Sequence, residues 1–349
     1  MSRKQSKVVR VGVDLARSVI QVHAVDANEK VIIAKQLQRA AFLPWCQTLP
    51  IGCVIGLEAC CAAHYWGRRL HEIGLAPRLI CPSFVTPYRL SGSTGKSDAN
   101  DAEAICEAVG RPHMRFVSVK TPIQQSWLAL HVLRTGYVNE RTNCMNRMRG
   151  LLAEFGLVFG VSTRRFRREL PEVLTTTDSD LTPLARMALR RGLAHFLALD
   201  RQIQWCDKQI EKHVSSDPNA LLAKSVSGVG VLTASAICAS IGDVHQFKNG
   251  RQLSAWLGLV PRMKSTGGKE RLGPITKRGD QYLRRLLVFG AKAALREAPR
   301  RDDPVSKWAV QLRERVGWSK AAVALANKNA RIIWSKLAQN STNSAGPRG

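Results

Sequence analysis

The segment VVRVGVDLARSVIQVHAVDANEKVIIAKQL, residues Val8–Leu37, decides the fold of the N-terminal part of the chain. Apolar residues alternate through Val8–Asp14, Val19–Val25 and Val31–Leu37, and the Asp-Ala-Asn sequence before the third run is typical of a turn. The pattern predicts three consecutive antiparallel strands, the first of which ends at Asp14.

The next elements alternate between strand and helix. CVIGL is a short buried-type strand that ends at Glu58, and a helix over Ala62–Ile73 follows it, closed by Gly74. A short strand over Arg78–Cys81 precedes a helix over Lys96–Val109, for which Ser97 is a suitable N-cap. This order predicts an α/β domain of the ribonuclease-H-like type over residues 1–115.

The remainder of the chain lacks such strand patterns. Residues 116–215 show helical spacing on both sides of Gly156–Pro183, which predicts a long helical hairpin with a loop between its arms. Residues 216–338 are expected to form a mainly helical domain, and the polar tail 339–349 is expected to be disordered. The fold class is therefore α/β plus α.

The charge balance favours nucleic acid as a partner. The net charge is +27, and Arg262–Arg301 alone contains 12 basic and three acidic residues, a density that attracts polyanions. No apolar run reaches the roughly 18 residues that span a bilayer, so we expect a cytoplasmic, nucleoid-associated protein without a membrane partner. Nine cysteines without a C-x-x-C pattern indicate free thiols rather than a zinc site.

Four carboxylates follow from the predicted α/β domain. Asp14 and Glu58 end two strands, while Asp98 and Asp101 lie three residues apart on one helix face. Taken singly, the two helix acids are more often first-turn residues that the helix dipole favours. If the first strand is central and the fourth lies beside it, the four can converge. Their mutual repulsion then calls for divalent cations, Mg²⁺ or Mn²⁺, which suit phosphodiester cleavage.

The basic C-terminal part contains two glycine-rich segments. Gly228 and Gly230 resemble a helix-hairpin-helix turn that could contact a phosphate, although a plain connecting turn explains them equally well. Ser265 and Thr266 precede two glycines in a predicted loop before a helix that begins near Asp280. No G-x-S-x-G elbow is present, so a hydrolase triad is unsupported. We expect the surrounding cations to contact nucleic acid: Lys264, Lys269, Arg271, Lys277, Arg278, Arg284 and Arg285.

Several motifs together carry a family resemblance. VGVDLARSVIQVHAVD, VIGLEA and GKSDANDAEAI in the first part, with SVSGVGVLTASAICASIGD and QLSAWLGLVPRMKSTGGKERLGPITKRGDQYLRRLLVFGA in the last, resemble the insertion-sequence-110 family of transposases. These are also described as bridge-RNA-guided recombinases. The resemblance covers roughly residues 8–338.

The resemblance implies specific chemistry and partners. In that family the N-terminal domain is similar to the Holliday-junction resolvase RuvC, with an Asp-Glu-Asp-Asp tetrad that maps onto Asp14, Glu58, Asp98 and Asp101. A serine that maps onto Ser265 attacks the phosphodiester and forms a phosphoserine with DNA, and Thr266 is the fallback nucleophile. The implied partners are donor and target DNA, a structured guide RNA from the element, and further copies of the chain in a dimer or tetramer.

Other functions remain open at the level of sequence. A resolvase-like nuclease would use water instead of Ser265, and a non-catalytic nucleic-acid binder would need only the basic domain. An actin-like or sugar-kinase fold shares the aspartate at the end of the first strand, but we find no later glycine-rich adenosine-binding segment, and the charge of +27 suits such a protein poorly.

Overall fold

A computed structural model describes residues 7–89, 97–176, 180–266 and 269–344 of the chain. The chain divides into two compact units, one ending at Pro122 and the other beginning at Ile123. The second unit thus contains both the predicted helical hairpin and the predicted C-terminal domain. Within the described part of the chain, no helix is both long and apolar enough to span a membrane.

The first unit is built on a mixed six-stranded sheet in the order β3-β2-β1-β4-β5-β6. Strands β1, β2 and β3 are antiparallel neighbours, β4 lies parallel to β1, and β5 lies parallel to β4. The three predicted antiparallel strands and the position of the fourth beside the first are confirmed. The strands are β1 (Arg10–Leu15), β2 (Val19–Val25), β3 (Val31–Gln38), β4 (Val54–Glu58), β5 (Ala76–Ile80) and β6 (Phe116–Val117).

The position of one helix across the sheet depends on a glycine. A side chain at Gly12, in the middle of β1, would overlap the backbone of Ala102 and Cys106 on α4. Gly12 therefore lets α4 lie directly on β1, near the strand end that carries Asp14. Ser97 caps α4 as predicted, since its side chain accepts from Asn100 N at 3.3 Å. The helices of this unit are α1 (Arg39–Cys46), α2 (Ala63–Glu72), α3 (Pro82–Val85) and α4 (Asp98–Val109).

The second unit opens with the two long helices expected from sequence, α5 (Pro122–Ala153) and α7 (Pro183–Ser216). The segment between them is not simply the loop that we predicted, because it contains α6 (Thr163–Val173). Its two buried residues, Phe166 and Leu170, are fully buried in a cluster with residues of both long helices. Because four arginines flank Phe166 in the sequence, the apolar spacing was too weak to predict a helix.

The last part of the chain is mainly helical, as predicted. Where a loop was expected around Ser265, however, β7 (Pro261–Thr266) and β8 (Lys269–Ile275) form an antiparallel hairpin. Asp280 caps the following helix by accepting from Leu283 N at 3.0 Å. The helices are α8 (Pro218–Lys224), α9 (Val231–Ile241), α10 (Gly250–Trp256), α11 (Gln281–Glu297), α12 (Pro304–Val316) and α13 (Trp318–Ser344).

The C-terminal tail differs from the predicted disorder, because α13 extends through Ser344. Hydrogen bonds to other parts of the second unit hold this polar end: Ser341 Oγ lies 2.6 Å from His245 Nε2, and Asn340 Nδ2 donates to Asn219 Oδ1 at 3.0 Å. The prediction of disorder rested on the polar composition of the tail, which does not indicate hydrogen bonds to distant residues. The remainder of the predicted disordered tail, residues 345–349, lies outside the described residues.

Candidate functional site

Two adjacent strands and one helix bring acidic side chains to the same edge of the first unit. In the parallel register of β1 and β4, Val13 pairs with Leu57, so Asp14 and Glu58 occupy the next positions along the two strands. The helix α4, which crosses β1, contributes Asp98 and Asp101 from its first turn. We call these four residues the acidic cluster.

Burial and the charges of the other three acids act on Asp14. Burial raises the pKa of Asp14 to about 6, and the negative charges of Asp98, Asp101 and Glu58 each add to the rise. A carboxyl group that is half-buried among three others resists ionisation because its charge meets both a low dielectric and like charges. Asp98, Asp101 and Glu58 therefore lie near enough to Asp14 for their charges to act on it, while the role of the four carboxylates as metal ligands stays a prediction.

Arg89 lies between two members of the acidic cluster, and sequence analysis did not identify it. Its Nη2 donates to Glu58 Oε1 at 2.9 Å, and its Nε lies 2.8 Å from Asp101 Oδ1. The second contact is an ion pair without hydrogen-bond geometry, since Arg89 Nε is buried and has no hydrogen-bond partner. The positive charge of Arg89 lowers the pKa of Asp14 and so partly offsets the repulsion.

The donor chemistry of the acidic cluster suits a hard divalent cation, because Mg²⁺ takes carboxylate oxygens. The arrangement of the described side chains is not that of a finished metal site, however. In residues 7–89, 97–176, 180–266 and 269–344, no three Asp, Glu, His or Cys side chains are grouped as the ligands of one ion. A guanidinium group instead provides the counter-charge between Glu58 and Asp101.

The predicted nucleophile lies on the hairpin of the second unit. Ser265 pairs with Glu270 and Thr266 pairs with Lys269 in the backbone register, so both hydroxyl residues are at the end of β7. The two glycines between the strands, Gly267 and Gly268, lie outside the described residues. The position at a hairpin end is compatible with either residue as nucleophile.

The base of this hairpin is tightly packed through two glycines. A side chain at Gly258 would overlap the carbonyl oxygen of Arg278, and one at Gly279 would overlap that of Trp256. Both glycines have positive φ values, +70° and +95°. Arg284 adds to this packing, because its Nη1 donates to Leu257 O at 3.1 Å. The predicted nucleic-acid contact Arg284 is thus engaged in bracing the backbone.

The other described cations of the predicted interface face solvent. Arg271, Lys277, Arg278 and Arg285 are exposed, and none forms an ion pair with a side chain that the structure describes. Charges without internal partners can be offset by a polyanion at little cost in protein contacts. Their exposure agrees with the predicted role, which stays a prediction. The side chains of Lys264 and Lys269 lie outside the described part.

The glycine turn before α9 has a packing role of its own. Gly228 has a φ of +82°, and a side chain there would overlap the backbone of Gly290 on α11. At Gly230, the N-cap of α9, a side chain would meet nothing within 4 Å. Close approach to α11 therefore explains Gly228, whereas Gly230 leaves the N-terminus of α9 accessible for the predicted phosphate contact.

A buried polar chain in the second unit was not found from sequence. Ser235 Oγ lies 2.9 Å from His131 Nε2 and 3.0 Å from His213 Nδ1, and His213 Nε2 lies 3.4 Å from Asp217. Although this resembles a hydrolase triad, Ser235 is fully buried and no substrate could reach it. Burial also lowers the pKa of His131 to about 4. These buried polar side chains link α5, α7 and α9 and do not form a catalytic site.

Clustered carboxylates on an α/β sheet and a strongly basic helical unit are together typical of enzymes that act on nucleic acids. Comparison with known proteins supports this class. Residues 220–305 match the model of the IS116/IS110/IS902 transposase family.

Relatives match over nearly the whole chain. It is 46% identical to a probable family 20 transposase of Pseudomonas aeruginosa, over 95% of this chain and 97% of the relative. It is 41% identical to the transposase for insertion sequence element IS1111A of Coxiella burnetii, over 97% and 93%. It is 34% identical to the transposase for IS1328 of Yersinia enterocolitica, over 94% and 96%. The chain belongs to the IS116/IS110/IS902 family of transposases, and is therefore a DNA-transposing enzyme.

Proposed function

We propose that the chain cuts and rejoins the DNA of an insertion sequence through a serine nucleophile assisted by divalent cations. Ser265 is the nucleophile, and Asp14, Glu58, Asp98 and Asp101 hold Mg²⁺ or Mn²⁺. The observation that carries the proposal is geometric: Asp14 and Glu58 occupy adjacent positions at the ends of β1 and β4, and the first turn of α4, which lies on β1, carries Asp98 and Asp101.

The sheet supports a ribonuclease-H-like assignment for the first unit. Three antiparallel strands, followed by two parallel strands on the other side of β1, give the order β3-β2-β1-β4-β5. Asp14 on the central strand and Glu58 on its parallel neighbour then occupy the edge at which such a fold would place its acids. We propose a ribonuclease-H-like fold for the first unit. The Asp-Glu-Asp-Asp tetrad that the family resemblance implies also favours this fold.

Each acid has a definable part in binding the cations. Asp14 and Glu58 would provide oxygens from the sheet, and Asp98 and Asp101 would provide them from α4. When bound, the cations lower the pKa of a nearby hydroxyl and stabilise negative charge on the departing oxygen. Arg89 would release Glu58 and Asp101 as the cations bind, because a guanidinium and a metal ion cannot share the same oxygens at full strength.

The serine step is a transesterification. The Ser265 Oγ–phosphorus bond forms while a phosphorus–deoxyribose oxygen bond breaks; the serine loses its proton, and the departing oxygen gains one. The positively charged side chains of the hairpin region offset the negative charge that accumulates around phosphorus; they are Lys264, Lys269 and Arg271. The energy of the broken bond is retained in the phosphoserine, so rejoining needs no ATP. Thr266 is the fallback nucleophile.

We also propose the partners that the family resemblance implies. A structured guide RNA would select donor and target DNA by base pairing, and the protein would act as a dimer or tetramer associated with the nucleoid. The net charge of +27 supports contact with several nucleic-acid strands at once.

The experiment combines the protein, the non-coding RNA that flanks its element, target DNA and Mg²⁺. We expect DNA covalently attached to the protein, absent in Ser265→Ala and retained in Thr266→Ala. Asp14→Ala with Glu58→Ala should reduce cutting by roughly a thousandfold or more, while Glu103→Gln, an exposed acid on the same helix, should have little effect.

Two outcomes would contradict the proposal. If Ser265→Ala cuts DNA at the normal rate and no covalent adduct forms, water is the nucleophile and the chain is a resolvase-like nuclease; if the adduct is lost in Thr266→Ala instead, Thr266 is the nucleophile. If the double variant of Asp14 and Glu58 remains fully active, the acidic cluster has no part in the chemistry.

A further inference from the structure

The helix α11 has an outer face that its packing does not explain. Its inner face is fully buried in the core of the second unit through Leu283, Leu287, Ala291 and Leu295. These residues recur at four-residue spacing and are sufficient to hold the helix. What lies on the opposite face is therefore free to serve another purpose.

The outer face repeats a pair of an aromatic ring and a cation. The guanidinium of Arg285 lies 5.6 Å from the ring centre of Tyr282, and the ammonium of Lys292 lies 5.7 Å from that of Phe289. In both pairs the cation follows the ring by three residues, and the pairs are seven residues apart. Two helical turns separate them, or about 10 Å along the axis.

Phe289 is the unusual member of this repeat. Its side chain is 60% exposed, whereas Tyr282 is half-buried and its hydroxyl lies 3.0 Å from His131 Nδ1. An exposed phenylalanine stabilises neither the core nor the helix, and it leaves a large apolar surface in water. A ring that is held on a rigid helix and flanked by cations matches the stacking platforms of proteins that bind unpaired bases.

We infer that the outer face of α11 binds a single strand of DNA, with Phe289 stacked on an unpaired base. Arg285, Lys292 and the exposed Arg296 contact the phosphates on either side. Strand exchange exposes unpaired DNA, so this surface fits the transposition of the family. The inference rests on DNA transposition alone and is independent of Ser265 and of the acidic cluster.

Charge decides between DNA and a second copy of the chain as the occupant. In a symmetric dimer the same face would meet itself, and Arg285, Lys292 and Arg296 would then oppose like charges. Arg300, beyond the end of the helix, has Glu297 as its ion-pair partner, so the three other cations carry the surplus. A phosphodiester strand offsets this surplus, whereas a second copy doubles it.

The test measures the affinity of the full-length protein for a labelled single strand of about 20 nucleotides, and for the duplex of the same sequence, by fluorescence anisotropy. Phe289→Leu keeps an apolar side chain and helix propensity but removes the ring. Phe289→Trp keeps a ring. Trp205→Leu is the matched control, since Trp205 is 52% exposed on α7 and belongs to none of the described cation–ring pairs.

We expect Phe289→Leu to weaken single-strand binding roughly ten- to hundredfold and to change duplex binding less than about twofold. Phe289→Trp should bind the single strand at least as well as the wild type, and its added fluorescence should be quenched on binding. Trp205→Leu should bind normally. Circular dichroism should show unchanged helix content in all three variants.

The inference is overturned if Phe289→Leu leaves single-strand affinity unchanged, or weakens single strand and duplex equally. Equal losses in Trp205→Leu and Phe289→Leu would also overturn it, as would a loss confined to RNA of the same sequence. If instead only the oligomeric state of Phe289→Leu changes, the face is an interface between copies. None of these results bears on the covalent adduct, so the two proposals fail separately.

Discussion

The acidic cluster and the hairpin of Ser265 deal with charge in opposite ways. In the first unit, Glu58 and Asp101 have a built-in counter-charge in Arg89, which forms ion pairs with both. Around the hairpin, Arg271, Lys277 and Arg278 are exposed and have no acidic partner among the described side chains. The first region is thus compensated from within, while the described cations of the second have no such compensation. On the function that we propose, DNA would offset the charge of the second region, and divalent cations would have to displace Arg89 from the first.

The largest expected effect concerns the rigid base of the hairpin. Gly279→Ala places a methyl group against the carbonyl oxygen of Trp256 at a φ of +95°, which L-residues rarely adopt. We expect a loss of about 3 kcal/mol or more in the free energy of unfolding, measured by chemical denaturation.

Gly150→Ala is the control for this prediction. Gly150 lies in α5, and a side chain there would meet nothing within 4 Å, so the same substitution should stabilise by about 0.5–1 kcal/mol. If Gly279→Ala is as stable as the wild type, the hairpin base is not the fixed support that we describe.

A smaller effect should appear in the pH dependence of the acidic cluster. Because the pKa of Asp14 is raised from 3.8 to about 6, the folded state binds its proton more tightly than the unfolded state does. Asp14 therefore contributes stability below about pH 4 that is lost as the pH rises through 6. Without divalent cations, Asp14→Asn should be more stable than the wild type at pH 7 by about 1 kcal/mol, a figure discounted for partial exposure.

The difference between Asp14→Asn and the wild type should become small near pH 4, where Asp14 is protonated in the folded state and about half protonated in the unfolded state. Taking the difference removes the opposite contribution of His131, whose pKa is lowered by burial and whose stabilisation is lost on acidification. Thermal unfolding at pH 4, 5, 6 and 7 measures it. A variant that is less stable than the wild type at pH 7 would show that Asp14 is not under repulsion.

The smallest effect concerns Arg89 as the resident counter-charge. Arg89→Gln removes the cation that contacts Glu58 and Asp101, so Mg²⁺ should bind roughly three- to tenfold more tightly, as measured by calorimetry on the DNA-free protein. Arg69→Gln is the control, because Arg69 pairs with Glu72 on an exposed helix surface. Weaker Mg²⁺ binding in Arg89→Gln would instead make Arg89 a residue that positions the ligands.

The elements of the first unit were predicted more completely from sequence than those of the second, and the reason is physical. Alternation and strand ends locate Asp14 and Glu58 because a buried sheet imposes a period of two on the chain. Arg89 follows a short helical turn and has no local pattern, so only the folded chain shows its two ion pairs. Ion pairs between residues that are distant in sequence produce no regular spacing in the sequence.

In the second unit, similar limits applied to both helices and strands. The apolar pair Phe166 and Leu170 is too short a signal among arginines to predict α6. Most of the described side chains on the two strands of the Ser265 hairpin are exposed. These strands therefore lack the alternation of apolar and polar residues that marks a half-buried strand. The bracing role of Arg284 likewise depends on carbonyl groups that approach it only after folding.

The most direct measurement of the central claim is mass spectrometry of the protein after reaction with DNA, guide RNA and Mg²⁺, followed by nuclease and trypsin digestion. Cleavage after Lys264 and Lys269 gives the peptide STGGK, which begins with Ser265. We predict a nucleotide linked through phosphate to Ser265 in the wild type, and none in Asp14→Ala. A nucleotide on another residue, or an adduct that forms equally well in Asp14→Ala, would contradict the account.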